Sequence, residues 1–331
     1  MIRLGICGCG NFVEQGVLPL LAEVENVKVT AVHSSREQRA QHIAQKFAIP
    51  HVFDDYDALV GSQEIDAVYI CSPNNCHRVQ TIKAANAGKH VLCEKPMGLD
   101  VAECQEMVDA CSANQVKLAI GFCYPWGGAQ QKVRELINEG RVGPVSYIHM
   151  SFNLASYTAE NVGWRCDPKF SGGGPLMDLA PHLVHLGCFF LDDRVESAMA
   201  YVRPEMTESQ VETDVNALIE FSHGCRLAID TSFVRSNAHN YTVVGSKGEI
   251  HAVDTMSWRA GGTVTARDQA GENTVPFNST EAIAEEFRLF AAAIDGNAAL
   301  PASGEIGLHV QAVIDALYES GRTGRRRKVQ S

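Results

Sequence analysis

From Ile2 to Ile120 the chain alternates short apolar runs with amphipathic ones. Ile2–Cys7 reads as a short strand that runs into a glycine turn. Asn11 can cap a helix reaching about Glu23, with Val13, Val17, Leu20, Leu21 and Val24 on one face and Pro19 bending it near its end. Val27–Val32 is rich in β-branched residues and predicts a strand; Arg36–Phe47 predicts a helix. His51–Phe53, Ala67–Cys71, His90–Cys93 and Lys117–Ile120 read as further strands. Between them lie a helical turn at Tyr56–Val60 and helices at Cys76–Ala87, closed by Gly88, and Val101–Asn114. Strands alternating with helices at these lengths predict βαβ units and a parallel sheet.

After Gly121 the rhythm changes. A helix over Ala129–Asn138 leads to a strand over Val145–Asn153, and Gly172-Gly173-Gly174 opens a second helix to about Leu191. Strand-like runs follow at Val195–Val202, Val215–Phe221, Cys225–Phe233, Tyr241–Val244, Glu249–Val253 and Gly262–Ala266, separated by turn residues. This predicts antiparallel hairpins with one covered face. Helices over Ile283–Ile294 and Glu305–Ser320 finish the chain. The expectation is therefore an α/β dinucleotide-binding domain over 1–121, followed by an α+β domain over 122–331.

Composition narrows the class. Of 331 residues, 45% are hydrophobic and 20% charged, as in an ordinary globular protein. Lys and Arg number 28 against 39 Asp and Glu, a net charge of −11, which argues against a nucleic-acid partner held through its phosphates. The one basic cluster, Arg325-Arg326-Arg327-Lys328, reads as a solvated tail after the last helix. The 11 cysteines contain no CxxC pair and several sit in apolar runs, so they read as small hydrophobes in a reduced, cytoplasmic protein. No leader precedes the first strand, and no apolar run approaches the ~20 residues that span a bilayer.

The turn Gly5-Ile6-Cys7-Gly8-Cys9-Gly10-Asn11-Phe12-Val13 follows a strand and opens a helix, the context a dinucleotide fingerprint requires. Gly8 permits the tight turn, and Gly10 lets the backbone approach a pyrophosphate at the helix start, beside Asn11 and Phe12. Val13 stands where a third glycine is usual, which widens the helix–strand packing. At the end of the second strand no carboxylate stands ready for a ribose 2′-hydroxyl; Ser34, Ser35, Arg36 and Arg39 are there instead. Hydroxyls and guanidinium groups suit a 2′-phosphate, so NADP is favoured over NAD.

The segments Ser72-Pro73-Asn74-Asn75-Cys76-His77, Ala87-Gly88-Lys89-His90-Val91-Leu92-Cys93-Glu94-Lys95-Pro96, Gly163-Trp164-Arg165 and Gly172-Gly173-Gly174-Pro175-Leu176-Met177-Asp178-Leu179-Ala180-Pro181-His182 carry a resemblance. Together they resemble the glucose–fructose oxidoreductase, inositol dehydrogenase and MocA family over essentially the whole chain. The resemblance implies a two-domain dehydrogenase of sugars, cyclitols and related diols. Its second domain would be an open, mostly antiparallel sheet whose outer face mediates homodimers or homotetramers. Lys95 resembles the family's active-site lysine, and Asp178 and His182 its pocket residues, the histidine as general acid/base. Glu94, Ser72, Pro73, Asn74, His77, Trp164 and Arg165 would lie toward the cofactor. Pro125 departs from the family's usual arginine, while Tyr124 and Trp126 would border the substrate.

Asp178 and His182 are an i, i+4 pair, on one face if a single helix carries them. Trp126 can stack on a sugar ring or pack internally, and Arg165 can serve an ion pair. A metal reading of Asp178, His182 and His185 lacks a further ligand, so no metal is expected. Two other readings of the fold exist: a retained-cofactor enzyme cleaving glycosides by oxidation and elimination, and a non-catalytic dinucleotide sensor.

Overall fold

Ile2, Leu4, Ile6 and Cys7 are all buried, because the strand they form lies at the centre of a parallel sheet covered on both faces. The computed structural model describes residues 1–155, 163–203, 210–257 and 259–330. The sheet comprises β1 (Ile2–Cys7), β2 (Val27–His33), β3 (His51–Phe53), β4 (Ala67–Ile70), β5 (His90–Cys93) and β6 (Leu118–Ile120) in the order β3-β2-β1-β4-β5-β6. Every pairing in it is parallel. The order reverses between β1 and β4, which pair side by side while the chain leaves β1 toward β2 and leaves β4 toward β5 on the other side. The crossing helices are α1 (Leu18–Leu21), α2 (Glu37–Phe47), α3 (Tyr56–Gly61), α4 (His77–Asn86) and α5 (Val101–Ala113).

The helix expected over 11–23 is not one regular helix. Val13–Val17 forms a π-helical turn, and α1 begins only at Leu18 with Pro19 in its first turn. Proline has no N–H to continue a ladder but is accepted at a helix start, so a register change precedes it.

The second part of the chain holds α6 (Gly128–Asn138), β7 (Val145–Asn153), α7 (Pro168–Ser171), α8 (Pro175–Asp178), α9 (Ala180–Leu191) and β8 (Val195–Arg203). The strands β9 (Asp214–Phe221), β10 (Arg226–Ser232), β11 (Ala238–Gly245), β12 (Gly248–Val253), β13 (Thr263–Asp268) and β14 (Gly271–Thr274) follow. Two helices, α10 (Ala282–Ile294) and α11 (Gly304–Thr323), then lead to β15 (Arg327–Lys328). The nine-stranded sheet runs β14-β13-β12-β11-β7-β10-β9-β8-β15 and is antiparallel except at the β7–β10 pairing. Helix α9 covers one face. A Cβ on its Gly187 would lie 2.9 Å from the Leu227 side chain, so glycine permits this close approach. The other face alternates outward, leaving Tyr147, Tyr201, Leu218 and Val253 exposed.

Three expectations change. The single helix after the glycine run is broken at Leu179 into α8 and α9, because Pro181 supplies no N–H to the preceding turn. The basic C-terminal run is not a solvated tail: β15 pairs with the β8 edge, Arg326 engages Glu220, and Arg327 reaches Glu319 at 3.0 Å. The chain divides into two compact units, 1–123 with 283–308 and 124–282 with 309–331, where a single cut after residue 121 was expected. The first part of the long helix α11 thus belongs to the first unit. No helix among the described residues is long and apolar enough to cross a membrane.

Candidate active site

In the first unit, three loops at the carboxyl ends of β1, β4 and β5 are tied together through their backbones. Gly8 has φ +101°, and a Cβ there would overlap the Cys71 carbonyl; only glycine lets the β1 loop lie against the β4 loop. Gly10, by contrast, has nothing within 4 Å of where its Cβ would stand. That leaves open space over the backbone at the start of the helical segment, where a pyrophosphate fits and a side chain would fill the cradle.

Arg39 closes one side of this turn. Its Nε donates to the Cys9 carbonyl at 2.7 Å, its Nη2 reaches Asn11 Oδ1 at 3.2 Å, and it is ion-paired with Glu14. Hydrogen bonds from Lys46, His42 and Arg39 pull the Glu14 carboxyl down to about 2. Arg39 is thus held at the turn by Glu14, Asn11 and the Cys9 carbonyl. Ser35 and Arg36 stand exposed beyond β2, and Ser34 accepts the Arg36 N–H at 3.3 Å.

His77 is fully buried at the head of α4. Its Nδ1 lies 2.9 Å from the Pro96 oxygen and its Nε2 3.0 Å from the Ser72 oxygen. It joins the loop of Ser72, Pro73 and Asn74 to the loop of Glu94, Lys95 and Pro96. Burial lowers its pKa, the neighbouring carbonyls opposing that shift. The Ser72 hydroxyl bonds Gln80 Oε1 at 2.5 Å, and the Lys95–Pro96 peptide is cis.

Two residues beside Glu94, which precedes Lys95, were not anticipated. Tyr69, on β4, donates its hydroxyl to Glu94 Oε1 at 2.6 Å. Glu286, on α10, is only 2% exposed; burial, then the nearby Glu94 charge, holds its carboxyl well above the usual range. A Cβ on Gly121 would stand 2.8 Å from Glu94 Oε1, so the glycine after β6 makes room for that carboxylate. The signal was faint: one tyrosine in an apolar strand and one glutamate on the apolar side of a helix.

In the second unit, Asp178 ends α8 and His182 lies in the first turn of α9. Arg165 Nε is 4.0 Å from Asp178 Oδ2, and its guanidinium lies 4.5 Å from the Trp164 ring centroid. The Trp164-Arg165 step therefore meets Asp178 within one unit. His182 is 8% exposed, with the Tyr124 ring 4.6 Å and the Phe152 ring 6.1 Å from its own. His239 completes this aromatic group, 5.0 Å from Phe152 at a steep angle. Phe152 and His239 were not anticipated, because they face one another only through the register of β7 with β11. Trp126 packs edgewise on Phe189 at 5.7 Å, which favours its internal-packing reading.

None of the eleven cysteines is in a disulfide, and burial raises several thiols, Cys9 to about 11 and Cys111 and Cys188 to about 12, so these behave as apolar groups. Among the described residues no cluster of three or more His, Cys, Asp or Glu forms a potential metal site.

Comparison with known proteins matches these two halves. Residues 2–122 fit the profile described as "Oxidoreductase family, NAD-binding Rossmann fold", and residues 130–251 fit the GFO/IDH/MocA C-terminal domain. A 1,5-anhydro-D-fructose reductase of Ensifer adhaerens is 28% identical, covering 100% of this chain and 99% of its own. D-xylose 1-dehydrogenase (NADP(+)) 2 of Haloferax volcanii is 29% identical, covering 98% of each. The aldose–aldose oxidoreductase of Caulobacter crescentus, solved with glycerol, superposes with a TM-score of 0.93 at 24% identity over 99% of both chains.

Proposed function

Because this chain belongs to the GFO/IDH/MocA family of oxidoreductases with an NAD-binding Rossmann fold, we propose that it is an NADP-preferring dehydrogenase or reductase of a sugar, cyclitol or related diol. The observation that carries the reading is the clamp on Lys95. The loop bearing it is fastened by His77 to the loop after β4, which itself lies against the glycine turn at Gly8. A lysine held at the carboxyl edge of a dinucleotide-binding sheet is suited to the oxygen of a reacting alcohol.

Gly8, Gly10 and the helix start would hold the pyrophosphate, with Ser34, Ser35 and Arg36 toward a 2′-phosphate. The nicotinamide, when bound, accepts or supplies the hydride. Lys95 donates a hydrogen bond to the substrate oxygen and stabilises the charge that develops there. His182, in its aromatic surround, moves the hydroxyl proton, a task suited to imidazole near neutral pH. Asp178, oriented by Arg165, accepts hydrogen bonds from substrate hydroxyls. The exposed Tyr147, Tyr201, Leu218 and Val253 on one sheet face support association of two or four copies there. Eleven cysteines without a disulfide among them fit a reducing compartment such as the cytoplasm.

The test is thermal unfolding with NAD, NADH, NADP and NADPH, followed by turnover of D-xylose with NADP and of 1,5-anhydro-D-fructose with NADPH. A ligand at ~100 times its Kd adds about 2.7 kcal/mol to the folded state, so a larger midpoint rise with the NADP forms is expected. An equal or larger rise with the NAD forms overturns the NADP preference. No rise with any nucleotide, in nucleotide-free protein, overturns the assignment of this site.

A further inference from the structure

We infer that Glu212 is a positioning residue for Asp178, acting through the backbone of the glycine run; the inference rests on the proposed role of Asp178 and His182. Glu212 precedes β9, and nothing in its local sequence marks it. Its Oε1 accepts three hydrogen bonds: from the Gly174 N–H at 2.9 Å, the Leu176 N–H at 3.1 Å and the Tyr318 hydroxyl at 2.8 Å. Gly174 caps α8 and has no side chain with which to do so. Pro175 follows and has no N–H. The Glu212 carboxylate therefore takes the two N–H groups that open the helix, a role usually filled by a local Ser, Thr, Asp or Asn.

The connection to Asp178 is one bond further on. The Asp178 N–H donates to the Gly174 carbonyl at 2.9 Å, so the peptide units flanking Gly174 link the Glu212 carboxylate to the Asp178 backbone. The glycines admit no alternative. A Cβ at Gly173 would overlap the Tyr318 hydroxyl, and one at Gly174 would overlap the Glu212 carbonyl. Three distant segments thus meet at one carboxylate oxygen: the glycine run, the entry to β9 and the last helix. Burial raises the Glu212 pKa, and the bonds from Gly174 and Tyr318 oppose the rise. Since α8 is a single turn separated from α9, the bond from the Asp178 N–H to Gly174 is made inside that short turn, and Glu212 anchors the turn from outside at its start.

Four variants test this: Glu212→Ala, Glu212→Gln, Tyr318→Phe and Asp178→Ala, alone and with Asp178→Ala combined with each of the others. Turnover is read with the two sugar–cofactor pairs above and cofactor affinity by NADP titration. Glu212→Ala should raise the sugar KM by ~10-fold or more, with NADP affinity unchanged. Glu212→Gln keeps an acceptor oxygen and should recover most of that loss. Tyr318→Phe, which removes one donor and leaves the two N–H bonds, covers the case in which Glu212→Ala fails to fold; its rise in KM should be about 2- to 5-fold. In the Asp178→Ala background each should cost little more, because the residues act as one unit. Additive losses in that background, or an equal loss of NADP affinity, would overturn the inference.

Wild-type turnover in Asp178→Ala itself would instead reject the proposed site, leaving the Glu212 contacts intact. If the parent chain turns over neither pair, amide exchange over residues 172–182 decides. Faster exchange in Glu212→Ala or Tyr318→Phe, restored in Glu212→Gln, supports the anchor, and identical exchange in all variants overturns it.

Discussion

His77 Nδ1 lies 2.9 Å from the Pro96 carbonyl oxygen, across 19 residues of sequence. With Nε2 at the Ser72 oxygen, one buried ring spans the loops that follow β4 and β5. The neutral ring carries one N–H, so it donates to one of these two carbonyls and packs against the other. His77→Ala removes the bridge and should lower stability by about 1–3 kcal/mol, the cost of leaving a buried acceptor unmade. NADP affinity should fall with it, as both loops loosen. Thermal unfolding and NADP titration measure the pair of effects, and an unaltered midpoint would show that the bridge holds nothing.

Lys95→Ala should reduce kcat by ~100- to 1000-fold, the scale of losing one well-placed donor to a developing oxyanion. The midpoint rise given by NADP should survive, since the phosphate turn is elsewhere in the loop set. The measurement is turnover beside the nucleotide-induced shift. Full turnover in this variant would remove Lys95 from the reaction.

Gly8 and Gly10 should fail in opposite ways when replaced by alanine. Gly8 is at φ +101° with the Cys71 carbonyl in the way, so Gly8→Ala should cost about 1–3 kcal/mol of stability before any ligand is added. Gly10 faces open space, so Gly10→Ala should unfold at the parent temperature yet bind NADP at least ~10-fold more weakly, its methyl group standing where backbone must approach phosphate. Undiminished binding by Gly10→Ala would move the pyrophosphate away from this turn.

His309 gives the protein an acid-sensitive window. Burial, and then the Arg194 charge, lower its pKa to about 4, and its neutral Nε2 accepts the Val195 N–H at 3.1 Å. The unfolded chain protonates this imidazole near pH 6.5 and the native chain only near 4, so the unfolded state binds more protons in between. Stability therefore rises with pH across that interval and is lost on acidification, by about 2–3 kcal/mol from this residue. His185, lowered by burial to about 3, acts with the same sign. His309→Gln keeps an acceptor without a titration, so its unfolding midpoint should fall less between pH 6.5 and 4.5. An identical slope in parent and variant would mean that His309 titrates normally in the folded protein.

What could be seen in the chain was whatever local chemistry decides. The β-branched alternation of Val27–Val32, the glycine turn after Cys7 and the lysine after β5 depend on neighbours within a few positions, and the parallel sheet followed from them. The mostly antiparallel sheet was also legible, through turn residues such as His223-Gly224. The short β14 and β15 were not. Four exposed residues give β14 no apolar period, and β15 exists only because β8 offers it an edge.

The site divides the same way. Asp178 and His182 were visible in a motif, but the break at Leu179 depended on Pro181 outweighing an otherwise helical run. Glu212 bonds to residues 36 and 38 positions earlier and to Tyr318, 106 positions later, and no period in a sequence encodes such a meeting. Arg39 illustrates the converse: its position near the strand end suggested a phosphate, and only the fold brings Glu14 to it.

The two-piece composition of the first unit has a consequence for how the protein is made. Phe287, whose ring lies 5.0 Å from Tyr69, and Ala302, whose oxygen receives the Ile120 N–H at 2.9 Å, arrive only after the intervening unit has been translated. At ~5–20 residues per second that is a wait of roughly 10–30 s, during which β6 lacks its bridge to Ser303 and presents a bare strand edge. The nascent nucleotide-binding half thus keeps that edge uncovered until residue 303 has been made, and a fragment ending at residue 123 would hold it in that unfinished state.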